Sequence, residues 1–476
     1  MDQRIPFYNK PRGKRMKRKR LMIAAVKSGS GKTMITCAFL QALKDRGITV
    51  AAYKCGPDYI DPMFHRQVIQ VPSNNLDTFF TGEQQTLELF LKGQREDDLA
   101  VLEGVMGLYD GLGGIREEGS SYHLAKITHT PIILIVDAKG MGRSVIPLIS
   151  GFLSYDDRNL IQGVILNRIS GGYYEMIKPL LEKELPVRLL GYLPEQEEVH
   201  IENRYLGLRM PHETAEIQKK LHMLSLQFAQ TVSIEKMIHI AQSACEKELP
   251  EYEKKYPVGS QDLSSEPVSI AVARDEAFCF YYQDNLRMLE EYGARLQYVS
   301  LLHDRALPEG CCGLLLGGGY PEIYGKELSA NAPMRQAIKR AIGQGMPAVA
   351  ECGGFLYLHS RLIDQEGVSY RMAGVIPAVC MYTGKLVRFG YIQLKEQKSR
   401  FLPEGECIKG HEFHYYDSTK NGEDCFAIKP VTNRTYSCII EGENYWFGFP
   451  HLYYPSNPAF PERFVEMARR YKERKR

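Results

Sequence analysis

At 476 residues the chain is too long for one ordinary core, since domains usually hold roughly 100–200 residues, and two or three domains are expected. Its 44% apolar and 25% charged residues are the proportions of a soluble globular protein and exclude disordered and fibrous classes. Much of the net charge of +3 traces to the run KPRGKRMKRKR, so residues 1–20 read as a solvated basic tail.

No basic stripe with interleaved aromatics supports nucleic-acid binding, and no apolar run approaches the roughly 20 residues that span a bilayer. The apolar stretch LMIAAV is too short for a signal peptide and runs straight into a glycine-rich motif. Eleven cysteines, an odd number without CxxC spacing, argue against both a disulfide framework and thiolate metal sites. A reduced, cytoplasmic protein is expected.

The stretch LMIAAVKSGSGKTMITCAFLQALKDRG passes from a β-type run through a glycine loop into apolar residues at helical spacing. Gly29 and Gly31 let backbone amides turn toward one anion, Lys32 adds positive charge, and Thr33 offers a hydroxyl to Mg²⁺. The plain phosphate-loop pattern requires glycine where Val26 stands, but Lys27 through Thr33 satisfy the variant KxGxGK[ST]. That variant resembles the loops of dethiobiotin synthetase and MinD-type ATPases, in which the leading lysine serves a neighbouring subunit, so a homodimer is compatible with it.

Further β-type runs follow at ITVAAYK, LAVLEGV, PIILIVDA and QGVILNR, with helix-length stretches between them. Such near-continuous apolar strands predict a parallel sheet covered on both faces, with ligands beyond the carboxyl ends of its strands. Acidic groups stand there: Asp58 and Asp61 after the second run, Glu103 and Asp110 after the third. Carboxylates facing a triphosphate hold Mg²⁺ together with the threonine hydroxyl, and Glu103 is the first candidate.

Residues 248–266 are rich in charge, Pro, Gly and Ser and read as a linker between a phosphate-loop domain, 21–247, and a second α/β domain, 267–476. In the second domain PAVAECGGFLYL puts Cys352 where a strand meets a glycine pair, as in a nucleophile elbow. Gly353 and the glycines of GGGYPE, Gly318 and Gly319, could supply oxyanion amides. A thiol nucleophile also needs a base, for which His411, His414 and His451 are all candidates.

The strings SGSGKT, YKCGPDYIDPMFH, NNLD, LEGVMGLYDG, RYLGL, VARDEAFCFYY, LLGGGYPE, AECGGFLYL and GHEFHYY together resemble the cobyrinate a,c-diamide synthase family, in order, from about residue 21 to about residue 460. The resemblance implies a phosphate-loop amidoligase joined to a class I, triad-type glutamine amidotransferase. ATP and Mg²⁺ would activate the a and c carboxylates of cobyrinate as acyl phosphates, and ammonia from glutamine would displace the phosphate. It implies that Cys352 attacks glutamine with His451 as base, that Lys27, Gly29, Gly31, Lys32 and Thr33 hold nucleotide, and that Thr33 and Glu103 hold the metal. Asp58, Tyr59, Ile60, Asp61 and Asp110 would line the substrate site, and Asn167 would stand near adenine.

Departures from the family pattern are Tyr453, where a histidine commonly stands in a His-Leu-His string, and Lys27 and Cys55 at positions usually small or apolar. A Cys-His dyad is therefore expected, with Tyr453 in the third triad position. Hydrogenobyrinate or nickel sirohydrochlorin are alternative substrates, since peripheral carboxylates look alike. A MinD-like ATPase switch is the alternative from another class, but it leaves AECGGFLYL without a purpose.

Overall fold

A computed structural model describes residues 18–95, 97–195, 211–244 and 266–475. Most of the basic tail, the RYLGL string and, save Glu266, the expected linker lie outside the described residues.

The apolar runs of the first half form one parallel sheet. Its strands are β1 (Lys19–Ala25), β2 (Val50–Cys55), β3 (Ser73–Leu76), β4 (Leu99–Glu103), β5 (Ile132–Asp137), β6 (Ile161–Asn167) and β7 (Arg188–Leu193), in the spatial order β3-β2-β4-β1-β5-β6-β7. Alternate residues of β1 serve opposite faces, because successive side chains of a strand point apart. Leu21, Ile23 and Ala25 pack with helices Lys32–Asp45, Pro211–Thr231 and Ile234–Ser243, while Met22 and Ala24 pack against the core on the other side. The two strands beyond the expected five are an edge strand of sequence SNNL and the glycine-interrupted RLLGYL, neither of which is a continuous apolar run.

In the second half, strands Ala294–Val299, Val268–Ala273, Gly313–Leu316, Ala348–Glu351 and Tyr445–Gly448 lie parallel in that spatial order, with Ile440–Glu441 antiparallel at the edge. This is the expected α/β unit. It is extended by a five-stranded antiparallel sheet, Thr435–Cys438, Cys425–Ile428, Arg388–Glu396, Cys407–His414 and His451–Leu452, and by a four-stranded sheet around His359–Ile363. Both parts share one buried core.

The two domains meet across an aromatic seam in which Tyr59, Phe79, Phe80 and Leu112 of the first pack with Tyr282 and Tyr453 of the second. Tyr391 Oη donates to Asp77 Oδ2 at 2.6 Å, and Gln85 Nε2 to the Pro455 carbonyl at 2.6 Å. Among the described residues no helix is long and apolar enough to cross a membrane.

Candidate active site

The central strand β1 ends in the glycine loop, and its neighbours bring their carboxyl-terminal residues beside it. Gly31 (φ +92°) enters the helix Lys32–Asp45 in the left-handed region, where glycine carries no steric penalty. A Cβ there would stand 2.3 Å from Asn167 Nδ2, and that amide donates to the Ser30 carbonyl at 2.9 Å. Asn167 thus braces the loop from the end of β6. Lys32 bonds the Met106 carbonyl, and burial, then the nearby Lys54 charge, lowers its pKa to about 8. Lys27 is largely exposed and lies 3.7 Å from Asp137.

Four of the predicted or neighbouring groups converge below Thr33. Its hydroxyl donates to Glu103 Oε1 at 2.6 Å and lies 3.3 Å from Asp61 Oδ2. Lys54, which pattern reading passed over, bonds both Asp61 and Glu103, the latter at 2.7 Å. Its register partner across the sheet is Glu103 itself. Burial alone would lower Lys54, but Asp61 and Glu103 hold its pKa well above the ordinary value. Burial likewise opposes ionisation of Glu103, yet Lys54 and His65 hold that carboxyl well below its usual range. Asp61 is pushed up by burial and by the charges of Asp58 and Glu103. His65 Nε2 stands 3.5 Å from Glu103 Oε2, and neither buried atom has a hydrogen-bond partner.

The remaining predicted residues of this domain are held by local contacts. Asp58 Oδ1 accepts from the amides of Ile60 and Asp61 at 2.8 and 3.0 Å and so starts the short helix Ile60–Phe64. Asp110 Oδ2 accepts from Gly107 at 2.9 Å and shapes the loop after β4. Ile60 packs on the core of its own domain. Tyr59 is 8% exposed and stacks on Phe280 at 5.1 Å, 5.3 Å from the His451 ring. Tyr59 thus lies buried in the seam, while Ile60 is only partly buried against the core of its own domain.

In the second domain, strand Ala348–Glu351 ends at Cys352, whose φ of +44° and ψ of −100° are those of a sharp elbow before helix Gly353–Leu358. A non-glycine residue held in that region signals strain maintained by the surroundings. The Cys352 amide donates to Gly448 and the Gly354 amide to Gly317, at 2.8 and 2.9 Å, which fixes the turn. Glycine is required around it by contact: a Cβ on Gly353 would meet the Gly319 nitrogen at 3.0 Å, and one on Gly318 would meet His451 Cε1 at 2.4 Å. The expected trio of Gly318, Gly319 and Gly353 thus joins the elbow to the His451 ring. Burial, then the Glu322 charge, pushes the Cys352 thiol far up, against the Gly353 amide that favours thiolate.

His451 is buried, and burial lowers its pKa to about 3, which keeps the imidazole neutral. Its ring stacks on His411 at 5.0 Å, and these two residues are register partners on adjacent strands. His411 Nδ1 contacts Tyr282 Oη at 3.1 Å, whereas His414 Nδ1 faces the Tyr416 carbonyl at 2.7 Å and its ring lies on Phe449. Of the three candidate bases, His451 is the one whose ring lies against Gly318. Tyr453 Oη donates to Asp284 at 3.0 Å and its ring stacks on Phe80 at 5.0 Å, in the seam. The acid facing His451 Nδ1 is Glu351, at 3.9 Å, and burial raises its pKa to about 8.

The chain matches two family models: a CobQ/CobB/MinD/ParA nucleotide binding domain over residues 21–206 and a CobB/CobQ-like glutamine amidotransferase domain over residues 269–453. It is 39% identical over 435 residues to the cobyrinate a,c-diamide synthase of Caldanaerobacter subterraneus subsp. tengcongensis, covering 90% of this chain and 94% of that protein. It is 37% identical over 458 residues to the enzyme of the same name from Dehalococcoides mccartyi strain CBDB1, covering 94% and 98%. A third, from Thermoplasma volcanium, is 37% identical over 472 residues, 97% of this chain and 99% of that one. With a phosphate loop at one end of the seam and a cysteine elbow at the other, the chain belongs to the cobyrinate a,c-diamide synthase family, the glutamine-dependent amidating ligases.

Proposed function

We propose that the chain amidates the a and c side-chain carboxylates of cobyrinate, with ATP activating each carboxylate and glutamine supplying the nitrogen. The relatives' shared name supports the substrate, and the observation that carries the glutaminase half is Cys352 at φ +44° against Gly353, with Gly318 under the His451 ring. In this reading the neutral imidazole of His451 takes the thiol proton as Cys352 Sγ attacks the glutamine side-chain carbonyl. The backbone amides of Gly319 and Gly353 would receive the oxyanion. Collapse to a thioester expels ammonia, and water then releases glutamate.

At the other end, the loop amides and Lys32 would bind the triphosphate, with the γ-phosphoryl directed to a substrate carboxylate. Hydroxyl and carboxylate oxygens are the donors Mg²⁺ prefers, and Thr33 Oγ1, Asp61 Oδ2 and the unpartnered Glu103 Oε2 fit that ion. When bound, Mg²⁺ supplies charge neutralisation on the phosphates. Lys54 keeps Asp61 and Glu103 together, and Asp110 holds the loop over which substrate would lie. Ammonia displaces phosphate from the acyl phosphate, and the product is the amide.

Replacing Cys352 with serine separates the two halves. The variant is expected to lose glutamine-dependent amidation and to retain ATP-dependent amidation from ammonium. Full glutamine use by Cys352→Ser would overturn the assignment.

A further inference from the structure

Away from both sites, three buried groups meet where the two sheets of the second domain join. Glu396 ends one strand of the antiparallel sheet and pairs directly with Cys425, which pairs directly with Cys438 on the next strand. Directly opposed residues point to the same face, so these form one row. Glu441 arrives from the other sheet, on Ile440–Glu441, which pairs with Tyr445–Gly448 and through it with the strand that ends at Cys352. One ligand atom from each of Glu396, Cys425 and Glu441 lies within 4.8 Å of the other two, and the residues are 3%, 3% and 4% exposed.

The electrostatics of this cluster are incomplete. Glu396 Oε1 accepts from the amides of Gln397 and Lys398 at 3.0 Å, and Glu441 Oε1 from Phe401 at 3.2 Å. Glu441 Oε2 is buried and finds no N–H donor, and this carboxyl faces that of Glu396. The nearest cations are engaged elsewhere: Lys398 pairs with Asp424 at 2.6 Å, and Arg400 donates to the main-chain carbonyl of Glu441. Among the described residues no salt bridge reaches either carboxylate. Two carboxyls this close and this dry either share one proton or take a cation in its place.

We propose that Glu396, Cys425 and Glu441 form a structural site for a divalent transition-metal ion of the zinc class, clipping the sheet that carries Cys352 to the sheet that carries His451. A thiolate beside two carboxylates suits zinc, cobalt or ferrous iron and is too soft for magnesium or calcium. Cys438, whose thiol donates to the Cys425 carbonyl at 3.7 Å, stands next in the row but outside this group of three. Binding forms the metal–sulfur and metal–oxygen bonds and releases to solvent the Cys425 thiol proton and the proton the two carboxyls share.

The test uses the full-length chain prepared without metal-affinity steps. Elemental analysis is expected to find about one equivalent of zinc-class metal per chain, or the chelated protein to take up about one equivalent of added Zn²⁺ with a rise in Tm. Co²⁺ added to the chelated protein should give a thiolate-to-cobalt charge-transfer band in the near ultraviolet, kept in Cys352→Ser and lost in Cys425→Ser. If Cys425→Ser does not fold, Glu441→Gln is expected to shift or weaken that band, and the metal content of the unmutated chain stands independently. A chain that neither retains nor takes up metal, or a band indifferent to Cys425 and Glu441, would overturn the proposal and leave a carboxyl pair sharing one proton.

Discussion

Lys54 and His451 show that the partners of a buried base decide its charge, since burial pushes both toward neutral. Lys54 is kept cationic by two carboxylates, and breaking a buried pair by removing one partner costs roughly 3–5 kcal/mol because the other is left uncompensated. Lys54→Met is therefore expected to lower stability by about that amount in urea unfolding. It should also abolish the ATP-dependent step measured with ammonium. His451, at about 3 in the folded chain against an ordinary 6.5, works the other way. Between those values the unfolded state binds the proton and the folded state does not, so stability rises with pH across the window and is lost as pH falls from about 6.5 toward about 3. His451→Gln should flatten that slope in unfolding curves taken across the window. The same variant should cut the glutamine-dependent rate roughly 10²–10⁴-fold while sparing the ammonium-dependent rate, the range general-base catalysis commands.

At the scale of elements, the phosphate loop depends on one glycine meeting one strand end. Gly31→Ala would place a Cβ 2.3 Å from Asn167 Nδ2 at a φ of +92°, a strain of about 1–3 kcal/mol. ATP binding measured by calorimetry is expected to weaken roughly 10-fold to 100-fold, with glutaminase activity unchanged. This loop was legible in the sequence because its glycines, lysine and threonine are local and its flanking strand and helix have clear periods. The elbow at Cys352 was legible for the same reason, and its base could be chosen only through resemblance. Lys54 was not legible: it sits inside YKCGPDYID, and only the register of β2 on β4 turns it toward Glu103. Glu351 stands in AECGG, but what it faces depends on the strand His451–Leu452, which is distant in sequence. The antiparallel sheet was missed because its strands, such as CIKGHEFH, mix glycine and charge with apolar residues and face the core on one side only.

The whole molecule is two catalytic units held by a buried seam, and Tyr59, which precedes helix Ile60–Phe64 of the first, lies against the His451 ring of the second. Asp77 ties this seam together: it caps helix Thr78–Lys92 through the amides of Phe79 and Phe80 and accepts from Tyr391 of the other domain. Burial raises its pKa to about 6, the Tyr391 bond opposing that shift. Tyr391→Phe is expected to cost about 1–3 kcal/mol in thermal or urea unfolding, since it leaves a buried carboxylate one donor short. It should also loosen coupling, so that glutamate release exceeds amide formation in the same reaction mixture.

Coupling between the two units is tested most directly by following the nitrogen. Cobyrinate, ATP and glutamine carrying a heavy-nitrogen amide label are incubated with the chain in the presence of unlabelled ammonium, and the product is read by mass spectrometry. Both the a and c carboxamides are predicted to carry the label in the unmutated chain and to carry unlabelled nitrogen in Cys352→Ser. Labelled product from Cys352→Ser, or no ATP-dependent amidation of cobyrinate from either nitrogen source, would contradict it.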